Sequence, residues 1–303
     1  MYRQLAVLVP GGHGQLGSDL AARAGEVALL RAPGSGEFDV TEPASVDRGV
    51  ASFVDDAVKA GLRPVVVNAA AYTAVDAAET APDRAYAVNA RGAGTVARTA
   101  AAYGVPMVHV STDYVFPGDS DRPYRPEDQT APKSVYGKSK LAGEREVLDA
   151  GDLTWVVRTA WVYGASGANF VKTMVKLERR HETVSVVDDQ RGSPTWSADL
   201  AAGLLDLAAA AVRTEPPVRR VLHCTGGGET TWYGFARAVF SELGADPERV
   251  RSCSTADFPR PAPRPAYSVL SGEAWREAGL TPLRGWREAL AAAFSASGDA
   301  FRE

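Results

Sequence analysis

Length, composition and charge exclude several classes of protein. The chain has 303 residues, of which 45% are hydrophobic and 23% are charged, which fits a folded globular protein and not a disordered or fibrous one. A net charge of −4 argues against nucleic-acid binding. No apolar run approaches the roughly 18 residues of a membrane span. Two cysteines, Cys224 and Cys253, predict neither a disulfide framework nor a zinc site, and we expect a cytoplasmic protein.

The first half of the chain alternates short apolar runs with longer amphipathic stretches. This alternation predicts βαβ units around a parallel sheet. Predicted strands cover 5–9, 27–30, 65–68, 107–110 and 155–157, and predicted helices cover 15–24, 41–61, 82–103 and 134–149.

The second half is less regular, and it carries no internal repeat or long linker. Strands are predicted over 184–187 and 221–223, helices over 198–212, 232–243 and 286–294, and an extended loop over 258–265. We therefore predict a first domain over 1–160, to which later segments return, and a smaller α/β domain over 161–303 interwoven with it.

A glycine cluster follows the first predicted strand. Gly11, Gly14 and Gly17 are spaced so that the first allows a tight turn, the second a close approach to a pyrophosphate, and the third close packing of helix on strand. The next helix would present free N–H groups to the anion. An ordinary glycine turn is the alternative, but the position between strand and helix favours a dinucleotide-binding, Rossmann-type doubly wound sheet.

Tyr136 and Lys140 are four positions apart on a predicted helix, so they share a face of that helix. A nearby ammonium favours phenolate, so we expect Lys140 to lower the tyrosine pKa from its usual value of about 10. Such a phenol would exchange a proton with a carbonyl or alcohol oxygen. The alternative is a half-exposed surface pair.

Polar side chains also stand at the ends of two predicted strands. Thr112 lies at the end of the strand that begins at 107, where parallel sheets place their ligand crevice, and it is positioned to bond the same carbonyl. A helix cap or turn is the alternative, although no helix is predicted directly after it. Asn68 ends the preceding strand in the same crevice, and Asn89 lies on the helix that follows. His109 and His223 fall within predicted strands, where we expect packing roles.

Six segments together resemble one known family. The glycine spacing resembles that of the extended short-chain dehydrogenases/reductases. The narrower resemblance is to the dTDP-4-dehydrorhamnose reductase family, and it spans almost the whole chain in order. The segments that carry it are 68–76, 111–116, 136–144, 158–163, 189–195 and 264–270.

The resemblance implies a role for each matching residue. It implies that the irregular second half is a substrate domain. The implied catalytic residues are Thr112, Tyr136 and Lys140. The implied cofactor contacts, besides Tyr136 and Lys140, are Gly11, Gly14, Gln15, Leu16, Gly17, Asp39, Val40, Asn68, Ala69, Ala70 and Asn89. The implied sugar-nucleotide contacts are Thr73, Val75, Asp113, Tyr114 and Trp161.

The implied reaction is NAD(P)H-dependent reduction of the C4 ketone of dTDP-4-dehydro-L-rhamnose, the last step towards dTDP-L-rhamnose, a cell-envelope precursor. Two alternatives stay open: a reductase of another nucleotide-linked 4-keto-deoxysugar, and a non-catalytic regulatory subunit on the same fold. We expect neither nucleic acid nor membrane as a partner, and a monomer or a homodimer. The resemblance also allows Mg²⁺, but no oxygen-ligand motif supports it, and we assign no metal site.

Arg31 bears on the choice of cofactor. A site that prefers NAD usually carries an acid after the second strand, whereas here the strand ends in Arg31 and the next acid is Glu37. An arginine pairs with the 2′-phosphate of NADPH through charge-assisted hydrogen bonds. We predict a preference for NADPH with NADH still usable, and the alternative is a solvated arginine at the strand end.

Overall fold

Twelve strands lie within residues 2–302, the part of the chain that the computed structural model describes. Six of them form one sheet in the order β10-β5-β4-β3-β1-β2, and all five pairings are parallel. The strands are β1 Tyr2–Leu8, β2 Val27–Arg31, β3 Arg63–Asn68, β4 Met107–Thr112, β5 Thr154–Thr159, β6 Val162–Tyr163, β7 Val184–Val187, β8 Arg191–Gly192, β9 Thr195–Trp196, β10 Val221–His223, β11 Thr230–Thr231 and β12 Val250–Cys253.

Helices cover both faces of this sheet and build most of the second half. They are α1 Gln15–Ala22, α2 Pro43–Lys59, α3 Val75–Ala78, α4 Pro82–Tyr86, α5 Ala93–Ala102, α6 Val135–Asp149, α7 Phe170–Glu178, α8 Ser197–Ala211, α9 Trp232–Glu242, α10 Glu273–Glu277 and α11 Trp286–Arg302. In the same described range, none of the helices combines the length and the apolarity that crossing a bilayer requires.

Successive side chains of each strand point to opposite faces of the sheet, and they pack into two core layers. Val65 and Val67 of β3 pack with α1, α8 and α10 on one face, whereas Val66 packs with α2, α5 and α6 on the other. Because a strand points successive side chains to opposite faces, a continuous valine run serves both layers. The fold is therefore a Rossmann-type α/β sandwich, and its ligand crevice opens where the strand order reverses, between β1 and β3.

A separate aromatic core holds the second half together. Helices α7, α9 and α11 bury Met174, Phe235 and Trp286 with Tyr163 of β6. Short strand pairs border this core: β7 with β12, β6 with β9, and β8 with β11. Strand β10 and helix α8 instead belong to the large sheet and its covering layer, although both follow residue 160. The division into two domains stays a prediction.

The predicted elements overlap those of the structure, with most ends differing by at most three residues, and three differences are informative. Helices α7 and α10 and strand β12 were not predicted. The helix over 82–103 is divided into α4, a π-helical segment Ala87–Gly92 and α5. Helix α2 begins at Pro43, with Glu42 rather than Thr41 as N-cap residue, because proline suits the first helical turn. Helix α11 continues past 294 to Arg302 with non-helical backbone at Ser297.

Candidate active site

The glycine loop between β1 and α1 has the geometry that its spacing predicts. Gly11 has φ +82°, and a methyl group on it would lie 2.7 Å from the backbone of Ala70, at the end of β3. A methyl group on Gly17 would lie 2.1 Å from the Gly11 carbonyl oxygen. Side chains would therefore break both the turn and the contact between loop and helix.

Gly14 is the N-cap residue of α1, and its own N–H donates to the Gly11 carbonyl over 2.9 Å. The residues that follow open the helix, where first-turn N–H groups have no intrahelical acceptor. Gln15 is half-buried, whereas the Leu16 side chain lies in the sheet core, so Leu16 can offer a ligand only its backbone. Loop and helix start together fit a dinucleotide pyrophosphate.

The end of β3 borders this loop. The Ala69 N–H donates to the Pro10 carbonyl over 3.0 Å, and the Asn68 side-chain oxygen accepts the Ala70 N–H over 3.1 Å. The structure thus brings Asn68, Ala69 and Ala70 against the glycine loop at the point where the strand order reverses.

The Asn89 side chain makes its hydrogen bonds within the protein, and its contact with a cofactor stays a prediction. It is fully buried in the π-helical segment, where its amide oxygen accepts the Tyr72 N–H over 2.8 Å. Its amide nitrogen donates to the Tyr72 carbonyl over 3.1 Å and to the Ser139 hydroxyl over 3.0 Å. Both amide hydrogens are engaged within the described residues, so Asn89 joins the loop after β3 to α6.

Three predicted cofactor residues lie between β2 and α2. The Asp39 carboxylate accepts both the backbone N–H and the hydroxyl of Thr41, over 2.9 and 2.7 Å, while Val40 is buried. The Arg31 guanidinium pairs with Asp56 on α2 and donates to Ser52 over 3.2 Å. Side-chain exposures of 37% and 44% make this a surface ion pair, which contributes little and leaves the arginine free to exchange partners.

Thr112 and Tyr136 meet at the carboxyl end of the sheet. Ser134 caps α6 by accepting the Gly137 N–H over 3.1 Å, which places Tyr136 in the first helical turn. The Tyr136 phenol lies near the Thr112 hydroxyl, and its ring packs at 5.5 Å, edge to face, on the ring of Tyr114. The structure therefore brings the expected proton donor next to the expected strand end.

Thr112 also caps a short helix that the sequence did not predict. A 3₁₀ turn, Asp113–Val115, follows it directly, and its hydroxyl accepts the Tyr114 N–H over 3.2 Å. The single hydroxyl hydrogen of Thr112 goes to the Asp113 carboxylate over 2.9 Å. In this structure the Thr112 hydroxyl is therefore engaged with Asp113 and Tyr114, and its bond to a substrate carbonyl stays a prediction.

The expectation that Lys140 lowers the pKa of Tyr136 is wrong for this structure. Burial raises the pKa of the Tyr136 phenol to about 12, and the nearby Asp113 carboxylate acts in the same direction. The Lys140 amine turns away to donate to the Val110 carbonyl over 2.7 Å, and it lies 3.3 Å from His109 Nε2. The phenol therefore keeps its proton at neutral pH, as a proton donor in a reduction must.

The predicted substrate residues lie in three different places. Val75 and Tyr114 pack in one small cluster with Tyr136, and Asp113 is buried beside Thr112, where desolvation raises the pKa of its carboxyl to about 6. Trp161 belongs to the aromatic core of the second half, where it stacks on Trp232 at 3.5 Å. Thr73 is exposed on the loop before α3.

Among residues 2–302, Trp161 is the one non-glycine residue whose backbone φ is positive, at +48°. A methyl group on Gly192 of β8 would lie 2.5 Å from its indole, so the ring occupies space that only a glycine leaves open. Strained backbone of this kind concentrates at functional sites and costs of order 1–3 kcal/mol, which the surrounding packing must offset.

Two contributors to the site were not predicted. Gly12 packs so closely on the segment after β2 that a methyl group would lie 2.0 Å from the Ala32 carbonyl oxygen. His109, expected only to pack, is fully buried between Asn68 and Lys140. Its position three residues before Thr112 on the same strand was the available signal.

Comparisons with known proteins agree with this geometry. A family model described as RmlD substrate binding domain matches residues 5–298. The chain is 51% identical over 300 residues to the dTDP-4-dehydrorhamnose reductase of Mycobacterium tuberculosis (strain CDC 1551 / Oshkosh), across 97% of this chain and 94% of that protein. It is 46% identical to a Streptomyces antibioticus protein named probable dTDP-4,6-dihydroxy-2-methyloxan-3-one 4-ketoreductase, across 95% and 94%.

A solved structure points the same way. The dTDP-4-dehydrorhamnose reductase of Bacillus anthracis, in complex with NADP, is 34% identical and superimposes with a TM-score of 0.87, across 97% of this chain and 99% of that one. Sheet, glycine loop and tyrosine helix define a Rossmann-type oxidoreductase. Within that class, the chain belongs to the dTDP-4-dehydrorhamnose reductase family, whose model matches nearly all of it.

Proposed function

We propose that this protein reduces the C4 ketone of dTDP-4-dehydro-L-rhamnose to the alcohol of dTDP-L-rhamnose, at the expense of NAD(P)H. The observation that carries the proposal is the buried phenol of Tyr136 beside Thr112, at the carboxyl end of the sheet that the glycine loop also borders. The names of the Mycobacterium tuberculosis and Bacillus anthracis relatives support this substrate.

The chain supplies position and one proton. The dinucleotide, when bound, supplies the hydride that becomes the hydrogen on C4. Tyr136 gives its phenolic proton to the ketone oxygen as negative charge develops there, and its raised pKa keeps that proton available. Thr112 stands beside this phenol, with its own hydroxyl hydrogen given to Asp113.

Lys140 is proposed to hold the ribose hydroxyls beside the nicotinamide. Its amine lies at the inner side of α6, on the carbonyl of Val110, two residues before Thr112 on β4. A ribose hydroxyl offers the same kind of acceptor as that carbonyl, so the lysine exchanges one oxygen partner for another.

The glycine loop, with Gln15 and the backbone of Leu16, is proposed to hold the pyrophosphate, and the 39–40 segment the adenine. The NADP of the Bacillus anthracis structure supports a nicotinamide cofactor. We propose NADPH as the preferred form, with Arg31 leaving Asp56 to pair with the 2′-phosphate. A contact of about 1.5–3 kcal/mol corresponds to roughly ten- to a hundredfold in affinity.

Two variants test this cofactor preference. Arg31→Ala should lower kcat/KM for NADPH towards its value for NADH. Asp56→Asn removes the competing partner and keeps Arg31, so it should preserve or increase the preference. If the wild type prefers NADH, or Arg31→Ala keeps the same ratio, Arg31 does not read the 2′-phosphate.

The second half is proposed to select the sugar nucleotide. Trp161 is its main candidate, because strained backbone and a glycine-lined gap hold its indole in place. The name of the Streptomyces antibioticus relative favours a second candidate function, reduction of another dTDP-linked ketosugar. Among residues 2–302, no three histidine, cysteine or carboxylate side chains are grouped so that they could hold a metal ion.

A substrate panel decides between these candidates. Purified protein is mixed with NADPH and with dTDP-4-dehydro-L-rhamnose or with its 4-keto-6-deoxy-D-glucose counterpart, and cofactor oxidation is followed. We expect kcat/KM to be highest for the rhamnose precursor. A higher value for the other ketosugar would select the second candidate, and no oxidation with either, by protein that binds NADPH, would favour a regulatory subunit.

A further inference from the structure

A buried line of side chains connects strand β3 to the catalytic helix α6. Asn68 and His109 stand opposite each other in the pairing of β3 with β4, and Asn68 Nδ2 lies 3.2 Å from His109 Nδ1. On the other side of the ring, His109 Nε2 lies 3.3 Å from Lys140 Nζ. All three side chains are at most 2% exposed, so each polar atom has only the others and nearby backbone as partners.

The hydrogen bonds of Asn68 decide which nitrogen of His109 carries the proton. The Asn68 side-chain oxygen accepts the Ala70 backbone N–H over 3.1 Å, which fixes the orientation of the amide. The amide NH₂ therefore faces His109 Nδ1, and that nitrogen must offer a lone pair. Burial lowers the pKa of His109 well below its usual value, so the ring is neutral and its hydrogen is on Nε2.

This tautomer directs an N–H group at Lys140. An ammonium has three hydrogens and no lone pair, so it cannot accept from His109 Nε2–H. A neutral amine can accept from Nε2–H and still donate to the Val110 carbonyl, which lies 2.7 Å from Lys140 Nζ. Burial of Lys140 acts in the same direction and lowers its pKa to about 8.

The charged groups around Lys140 do not reverse this lowering of its pKa. On α6, Glu144 raises the pKa of Lys140, but its carboxylate is already bound by Arg158 of β5, over 2.9 and 2.7 Å. Tyr136, on the same helix, is protonated, and Asp113 after β4 acts on Tyr136 rather than on the lysine. The π-helical segment and β3 contribute only the uncharged amides of Asn89 and Asn68 near this line.

We propose that His109 is a positioning residue for Lys140: it presents an N–H to the lysine nitrogen and so favours the uncharged amine, resting on the Val110 carbonyl, over the ammonium. Uptake of a proton then breaks the contact with His109 and frees the ammonium to turn towards a ligand. This deepens the proposed function and rests on it in one respect, because the ligand in question is the ribose of the nicotinamide. The resting state itself needs neither cofactor nor substrate.

Lysine-selective ¹³C labelling tests the resting state directly. The chain has six lysines, and Lys140→Met identifies the resonance of Lys140. We expect Lys140 to titrate near pH 8, whereas the exposed lysines titrate near their usual value of about 10.4. In His109→Gln the amide is free to turn its oxygen to Lys140, so the midpoint should rise by about one pH unit or more.

His223→Gln is the matched control, because it changes the other buried strand histidine, on β10, in the same way. It should leave the Lys140 midpoint unchanged. An ordinary Lys140 midpoint in the wild type, or equal midpoints in the wild type and His109→Gln, would overturn the proposal.

A second measurement needs no variant. The chain has four histidines, so long-range ¹⁵N–¹H spectra distinguish the ring of His109 from the others. We expect a neutral ring with its hydrogen on Nε2, and a hydrogen on Nδ1 or a charged ring would overturn the proposal. Both measurements use the protein without substrate, so they can fail while the reductase activity stands, and succeed if that activity is absent.

Discussion

The large sheet and the second half of this protein differ in the length of their strands and in the kind of core that they pack around. The sheet aligns strands of five to seven residues from β1 to β5, and its crevice is built from backbone and strand ends such as Gly11, Asn68 and Thr112. The second half uses strands of two to four residues around an aromatic core of Tyr163, Phe235 and Trp286. Rigid strand ends suit proton and hydride chemistry, whereas short strands and loops can change with the substrate.

The largest expected effect concerns the chemistry at the sheet. Tyr136→Phe keeps the ring packed against Tyr114 but removes the proton donor, so kcat should fall by roughly 10² to 10⁴, with NADPH affinity unchanged. Stopped-flow and steady-state kinetics measure both quantities. Tyr103→Phe, on an exposed tyrosine at the end of α5, is the control and should behave as wild type. Near-normal turnover by Tyr136→Phe would show that another group protonates the ketone.

The sheet also contains a buried ion pair whose loss should cost stability. Arg158 and Glu144 are 5% and 2% exposed, and the carboxylate also accepts the Ser111 hydroxyl over 2.5 Å. Glu144→Gln leaves the guanidinium without its charge partner, so the free energy of unfolding should drop by about 3–5 kcal/mol.

Chemical denaturation measures this loss. Glu146→Gln, on the same helix, breaks the exposed pair with Arg98 and should cost no more than about 1 kcal/mol. If the two variants lose equal stability, the sheet does not depend on the buried pair.

The glycine loop provides the next effect. Gly17→Ala places a methyl group against the Gly11 carbonyl, so the loop must shift, and NADPH affinity should fall at least roughly tenfold. Gly25→Ala is the matched control, since no atom lies within 4 Å of the added methyl group. Isothermal titration compares the two, and equal affinities would remove the loop from the cofactor site.

The smallest effect is expected in the second half. Trp161→Ala removes the stack on Trp232, and the KM for the sugar nucleotide should rise roughly tenfold while NADPH affinity is unchanged. The structural alternative is a core tryptophan, whose loss would cost about 3–5 kcal/mol of stability. A large fall in Tm with an unchanged KM in the folded fraction would support that alternative.

The same contrast explains what the sequence could predict. Helix α6 was predicted with its cap at Ser134 and its end at Asp149, because capping residue and periodicity are local signals. The π-helical segment inside the predicted 82–103 helix was not predicted, and it packs against a helix that is remote in sequence. Gly143 of α6 packs so closely that a methyl group on it would lie 1.9 Å from the Asn89 carbonyl oxygen.

The direction in which a long side chain points also could not be predicted from the sequence. The spacing of Tyr136 and Lys140 correctly placed both on α6, but the lysine turns to Val110 and His109 on β4, and burial raises the pKa of the tyrosine instead. Helical spacing defines a shared face, whereas a long side chain chooses among partners that only the tertiary fold supplies. The tautomer of His109 likewise depends on strand register, which the sequence does not display.

Isotope transfer tests the central claim most directly, namely that the sheet crevice directs a hydride to the ketone carbon of a nucleotide-linked sugar. NADPH deuterated at both C4 positions of its nicotinamide is mixed with dTDP-4-dehydro-L-rhamnose and the wild-type protein, and the product is analysed by mass spectrometry and proton NMR. We expect dTDP-L-rhamnose that carries one deuterium, on C4 of the sugar. A product without deuterium at C4, or no product from folded protein that binds NADPH, would contradict it.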